Sequence, residues 1–181
     1  GGSASSFKRG RFEFEPSLHE LCAVGKPDQL FDTGKLFKRF GAEVDFRYED
    51  NTFRAICTAE DGYDVRMRAG EDNFCDDLEA IVPGCRESLK AWFELERGDQ
   101  RTLDYIDSKN GKPNPLMMIL KHGNFMRDTS YTVEEVQKAL GMPEKARNIL
   151  NTYWGYLGGG RHLHRGCPGH RGLCSFRCPA R

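Results

Sequence analysis

From Val44 the sequence takes up a period of two. Val44, Phe46 and Tyr48 alternate with Asp45, Arg47 and Glu49, a turn falls at Asp50-Asn51, and Phe53 to Thr58 follows. After a second turn at Asp61-Gly62, Tyr63, Val65 and Met67 alternate with Asp64, Arg66 and Arg68. A period of two sends successive side chains to opposite faces of a strand, so the run predicts an antiparallel meander with one dry and one wet face. The wet face mixes both signs of charge and reads as a solvated surface rather than a nucleic-acid contact.

After Gly70 the period becomes helical. Phe74, Leu78, Ile81 and Val82 share a face, Pro83-Gly84 breaks the helix, and Leu89, Trp92 and Phe93 open another that Leu103 and Ile106 continue. Lys109 to Pro113 is a polar turn. Thr132 with Glu135 forms a capping box for a helix that turns Val133, Val136 and Leu140 inward and ends at Gly141 and Pro143. A last helix runs from Glu144 through Ile149, Leu150, Tyr153 and Trp154.

Ahead of the meander, Phe12-Glu13-Phe14 reads as a short strand stopped by Pro16, which has no N–H for a ladder. Asp32 or Thr33 is the expected cap of a short helix over Gly34 to Phe40, with Leu36, Phe37 and Phe40 on one face and Gly41 at its end. Strands followed by helices, rather than alternating with them, define an α+β fold; a parallel sheet has no support. No G-x-G-x-x-G sequence occurs, so these residues hold no phosphate cradle of that kind.

The formal net charge of zero hides two unlike parts. Residues up to Leu157 carry 22 basic against 27 acidic side chains, a formal −5, whereas Gly158 to Arg181 carries five arginines and no acid. Gly, Arg, His, Cys and Pro fill 19 of those last 24 positions, and no hydrophobic period survives. His162, His164, Cys167, His170, Cys174 and Cys178 resemble a zinc site at first sight, but neither a Cys-x-x-Cys turn nor a spaced second pair is present. A frameshifted or otherwise aberrant terminus accounts for more of this composition than a zinc module or a disordered basic tail, so no metal site is assigned. Cys22, Cys57, Cys75 and Cys85 are scattered without paired spacing and read as reduced, packed thiols of a cytosolic protein. The longest apolar run, Leu116 to Leu120, falls far short of the ~18 residues of a membrane span.

Taken together, "GGSASSF", "RFEFEPSLHEL", "LFKRFGAEVDFRYEDNTFRA", "DGYDVRMRAGEDNFCDDLEAIVPG" and "ILNTYWGYLG" resemble the phytoene desaturase, carotenoid isomerase and retinol saturase group of FAD-dependent oxidoreductases. The resemblance covers residues 1 to about 158 and implies a flavin-contact segment over 1–31, part of a substrate domain over 32–157, and an aberrant or disordered tail over 158–181. It also implies that a Rossmann unit belongs ahead of Gly1, so the chain is expected to be an internal fragment that holds FAD poorly or not at all by itself.

The family pattern falls on Gly1, Gly2 and Ser6, with Ser3 where an arginine is more usual; Phe14, Glu15 and His19 match the segment that runs toward the isoalloxazine ring. A glycine pair permits close backbone approach and a hydroxyl can donate to phosphate or ribose oxygens. The missing arginine removes a fixed charge from that contact. His19 reads either as a flavin-side hydrogen-bonding group or as a residue packed under the turn after Pro16. The implied chemistry is hydride or electron-pair transfer from a lipophilic substrate to FAD. Leu116, Met117, Met118, Ile119, Phe125 and Met126 suit either an apolar tunnel or an ordinary core. The implied partners are that substrate and, peripherally, a membrane, with no nucleic acid and a cytoplasmic location. The rival readings are a non-enzymatic lipid- or protein-binding module, or a zinc- or nucleic-acid-binding tail.

Overall fold

The computed structural model describes residues 5–14, 21, 24–60, 62–128 and 130–152. It divides into two compact units, one running to Arg47 and one from Tyr48 onward. In the first, strand β1 (Phe7–Arg9) pairs antiparallel with β2 (Phe12–Phe14), so the strand expected at Phe12-Glu13-Phe14 is one arm of a hairpin. Gly10 makes the turn at φ 60°, a left-handed conformation that a residue with a Cβ adopts at a cost. Two-residue strands β3 (Gly25–Lys26) and β4 (Gln29–Leu30) form a second hairpin, and helix α1 spans Asp32–Arg39.

The expected cap of α1 is corrected. Phe31 occupies the N-cap with extended backbone and no side-chain cap bond, while Asp32 is already inside the first turn, 3.7 Å from Lys35. There its carboxylate favours the positive end of the helix dipole instead of capping it. Leu36 and Phe40 stay exposed, and only Phe37 of the expected apolar face is half-buried, edge-on to Phe46 with ring centres 5.4 Å apart.

The second unit begins with β5 (Asn51–Cys57) and β6 (Tyr63–Arg68), paired in antiparallel register from Asn51↔Arg68 to Cys57↔Tyr63. The expected meander is therefore reduced to a hairpin: residues 44–50 form no ladder despite their alternation. Period two makes a strand only where a partner completes the hydrogen bonds. Val44 and Tyr48 are exposed, and Phe46 packs edge-on against Phe37. Every strand pair among the described residues is antiparallel, and with the helices this gives a mixed α and antiparallel β architecture.

Helices α2 (Glu71–Ile81), α3 (Arg86–Ser108), α4 (Pro115–Asp128), α5 (Val133–Ala139) and α6 (Glu144–Leu150) follow. The dry face of the hairpin, Ala55, Val65 and Met67, packs with Phe74, Cys75 and Leu78 of α2 and Leu89, Trp92 and Phe93 of α3. Val133, Val136, Ala146, Ile149 and Leu150 of α5 and α6 complete the same core. Phe74 is its hub, edge-on to Phe53 and Phe93 with both ring centres at 6.0 Å. The periodicities read for α2, the first half of α3, α5 and α6 up to Leu150 are thus the core-facing ones, whereas Leu103 and Ile106 are half-buried outside that core. The wet face behaves as a solvated surface, with Arg54 Nε 2.6 Å from Asp64 Oδ1 across the ladder.

The α5 capping box is present, with the Glu135 amide donating to Thr132 Oγ1 at 3.2 Å and the Thr132 amide donating to Glu135 Oε2 at 2.8 Å. Between α5 and α6 the buried amides of Gln137 and Asn151 exchange two hydrogen bonds, at 3.0 and 2.9 Å. Tyr153 and Trp154, expected to extend α6, lie outside the described residues, as do Cys22 and the histidines and cysteines after Gly158.

Candidate functional site

Of the residues the family resemblance marks for cofactor contact, Ser6 and Phe14 are described; Gly1, Gly2, Glu15 and His19 lie outside the described residues. Ser6 is exposed and immediately precedes β1. The register pairs Phe7 with Phe14 across the hairpin, and their rings stack with centres 5.0 Å apart and planes 15° from parallel. Offset stacking of this kind stabilises a two-stranded ribbon that has no third strand to bury it. The rings nevertheless stay open to solvent, with Phe7 47%, Phe12 58% and Phe14 44% exposed.

The same hairpin is basic. Lys8, Arg9 and Arg11 face one acid, Glu13, a formal +2 over eight residues. Lys8 lies 3.5 Å from Glu13 across the ladder, and the Arg11 guanidinium sits over the Phe12 ring at 5.1 Å from its centre. The hairpin thus combines an aromatic surface, three cations and the Ser6 hydroxyl, which suits a ligand with a planar ring and a phosphate. Phe7, Arg9 and Arg11 escaped the sequence reading, although the signal was there: Lys8-Arg9-Gly10-Arg11 between phenylalanines is a charged turn closing an aromatic ribbon.

The second unit holds a different polar cluster, also missed. Thr102 Oγ1 donates to the Gly98 carbonyl at 3.0 Å and lies 2.8 Å from His122 Nδ1. A hydroxyl has a single proton, so with Thr102 donating to the Gly98 carbonyl, the ring's Nδ1–H donates to Thr102 Oγ1. The Tyr105 ring stacks on the imidazole at 4.9 Å and 11°. His122 interrupts α4 with φ −123° and ψ 18°, so the cluster clamps α4 to α3 at the kink. The spacing of Thr102 and Tyr105 places both on one α3 face, but nothing in the sequence marks His122 as their partner.

Glu79 takes a structural place in the turn between α2 and α3. Its carboxylate accepts from the Gly84 amide and from the Arg86 amide, both at 2.7 Å, and these bonds hold its pKa below the ordinary 4.5. Gly84 sits at φ 87°, which lets Pro83-Gly84 fold back under the carboxylate. The E-x-x-x-P-G stretch is therefore a helix-start device, supplying acceptors for amides that precede and open α3. On α2 itself, burial opposes ionisation of Asp77, but the side chain and backbone amide of Arg68 at the end of β6 outweigh it and keep the carboxyl below its ordinary value.

Cys57, Cys75 and Cys85 are free thiols. Burial, reinforced by Glu71, raises the Cys75 pKa to about 11, and burial with the Glu79 carboxylate does the same for Cys85. Both are inert packing groups at neutral pH. No grouping of three or more His, Cys, Asp or Glu side chains suited to a metal occurs among the described residues.

Comparison with protein-family models, curated proteins and solved structures gave no match to this chain.

Proposed function

We propose that the chain supplies the flavin-side hairpin and part of the substrate domain of an FAD-dependent oxidoreductase, one that moves a hydride or an electron pair from a lipophilic substrate. The observation that carries this reading is the hairpin itself. It offers exposed, stacked phenylalanines to a planar ring system and three cations to a pyrophosphate, beside a hydroxyl that can donate to ribose or phosphate oxygens. Arg9 and Arg11 supply the positive charge that Ser3 lacks.

FAD, when bound, accepts the electrons. The chain's own residues orient the flavin: Phe14 by contact with a ring face, and Arg9, Arg11 and Ser6 by fixing phosphate and sugar. The reading requires a phosphate-binding turn outside these residues, since no G-x-G-x-x-G sequence occurs within them.

Titrating FAD into isotope-labelled protein tests it. Amide shifts are expected at Ser6, Phe7 and Phe14, with weaker ones for riboflavin, which lacks the phosphates, and with loss of the shifts in Phe14→Ala. Shifts that appear elsewhere in the chain and spare the hairpin, or hairpin shifts unchanged in Phe14→Ala, would overturn it.

A further inference from the structure

Of the α4 residues that suited a tunnel or a core, Met118 alone is buried, and Met117 and Phe125 are half-buried. Leu116, Ile119 and Met126 are exposed, which corrects the core reading for them. The unused bonding capacity of the fold lies elsewhere, along the outer edge of β5.

Opposed residues in an antiparallel ladder alternate between pairs that exchange both backbone bonds and pairs whose amides and carbonyls turn away from the partner strand. The Arg68 amide leaves the ladder and donates to Asp77 Oδ2 at 2.9 Å, whereas the next amide, Ala69, donates back to the Asp50 carbonyl at 2.9 Å. Two-residue steps from Arg68 therefore turn Arg66 and Asp64 outward on β6, and with them their partners Arg54 and Ile56 on β5. Among the described residues β5 and β6 pair only with each other, so no strand takes up these outward groups.

The two edges are not alike. On β6 the Asp77 carboxylate of α2 holds both the amide and the side chain of Arg68, so a helix already stands at that edge. β5 carries none of the devices that keep edge strands apart. The irregularity in its register lies between Asn51 and Phe53, and Phe53 to Cys57 runs regular with neither proline nor lysine. Its one charge, Arg54, is tied to Asp64 of its own sheet, with Nε 2.6 Å from Oδ1. On the same wet face, Ile56 is 60% exposed among Arg54, Asp64 and Arg66.

We propose that β5 pairs with β5 of a second copy of this chain about a two-fold axis at Ala55, joining two hairpins into a four-stranded antiparallel sheet. That centre sets Arg54 opposite Ile56 of the second copy, and Ile56 opposite the second copy's Arg54. Both are outward pairs that exchange two backbone hydrogen bonds each, and every residue used lies within β5. Ala55 then meets its own copy in the close, non-hydrogen-bonded position, which a methyl side chain accommodates. Moving the axis to Arg54 would oppose two arginines directly, and moving it to Ile56 would call on Thr58, beyond the end of the strand. This self-complementarity about one residue is what favours a second copy over an unrelated peptide. Across the axis the aliphatic stem of Arg54 covers Ile56. The proposal rests on register, exposure and charge within the second unit and does not depend on the flavin reading.

The test is sedimentation equilibrium of the full chain from micromolar concentration to about 1 mM, with amide exchange read at both ends of the range. A concentration-dependent dimer is expected, in which the Arg54 and Ile56 amides gain protection while those of Asp64 and Arg66 do not. Ile56→Lys sets a cation opposite Arg54 twice per dimer and should weaken association about tenfold or more. The thermal midpoint at low concentration should not change, since the side chain is exposed. Ile119→Gln with Leu120→Gln, on α4, should leave association unchanged. A monomer at every concentration would overturn the proposal. So would a dimer that survives Ile56→Lys, a dimer abolished by the α4 pair, or protection gained at Asp64 and Arg66, which would put the contact on β6.

Discussion

Gln137 and Asn151 make a closed pair: each amide donates once to the other and accepts once, at 3.0 and 2.9 Å, with Gln137 fully buried and Asn151 8% exposed. Truncating Gln137 to alanine leaves Asn151 with one donor and one acceptor stranded away from water. A buried unsatisfied group costs roughly 1–3 kcal/mol, so Gln137→Ala should destabilise the second unit by about 2–4 kcal/mol, and Asn151→Ala by a similar amount. Replacing both removes the stranded groups along with the bonds. The double variant should therefore be less destabilised than the sum of the singles, with a coupling energy of about 1.5–3 kcal/mol. In a domain of about 100 residues each single should lower the melting temperature by roughly 10–20 °C. The assay is urea unfolding of the four proteins followed by circular dichroism, with the slope checked for constancy. Additive singles, with coupling under about 0.5 kcal/mol, would show that the two amides do not depend on each other and would refute the reasoning.

Phe74 touches Phe53 on the sheet and Phe93 on α3, so Phe74→Ala should cost about 3–5 kcal/mol by calorimetry, and a loss below about 1 kcal/mol would mean that the three elements do not share a core. Glu79 contributes through a lowered pKa, so its stabilisation is full above its ordinary 4.5 and is lost as pH falls through the lower folded value. The stability gap between wild type and Glu79→Gln should accordingly be constant near neutrality and close in acid; a gap independent of pH would reject the charged cap. Cys75 and Cys85, with pKa values near 11 and no exposure, should react with a thiol reagent at pH 7 only after denaturant is added. Rapid labelling of either thiol in the native protein would contradict their burial.

Legibility in the sequence followed the source of each signal. Phe74, Leu78, Leu89, Trp92 and Val133 lie where helical spacing put them, because one-sided burial imprints a period on the chain. The capping box was readable for a similar reason, since both its bonds are local. Val44 to Tyr48 misled because alternation reports two-sidedness and says nothing of a partner strand. Leu116, Ile119 and Leu120 misled in the other direction: apolar residues at helical spacing signal burial only if something in the fold lies over them. His122 carried no signal, as its partners are 20 and 17 residues away and meet it only through tertiary packing. In the first hairpin the resemblance marked only Ser6 and Phe14, whereas the charged turn Lys8-Arg9-Gly10-Arg11 between phenylalanines was legible but unread, and the pairing of Phe7 with Phe14 needed the register.

The central claim, that this chain belongs to a flavin-dependent oxidoreductase, is tested most directly by sequencing the coding DNA ahead of the Gly1 codon. The account predicts an open frame encoding a strand, a G-x-G-x-x-G turn and a helix in phase with Gly1. A start codon placed directly at this frame, behind an in-frame stop, would contradict it and leave the basic aromatic hairpin to be explained by another ligand.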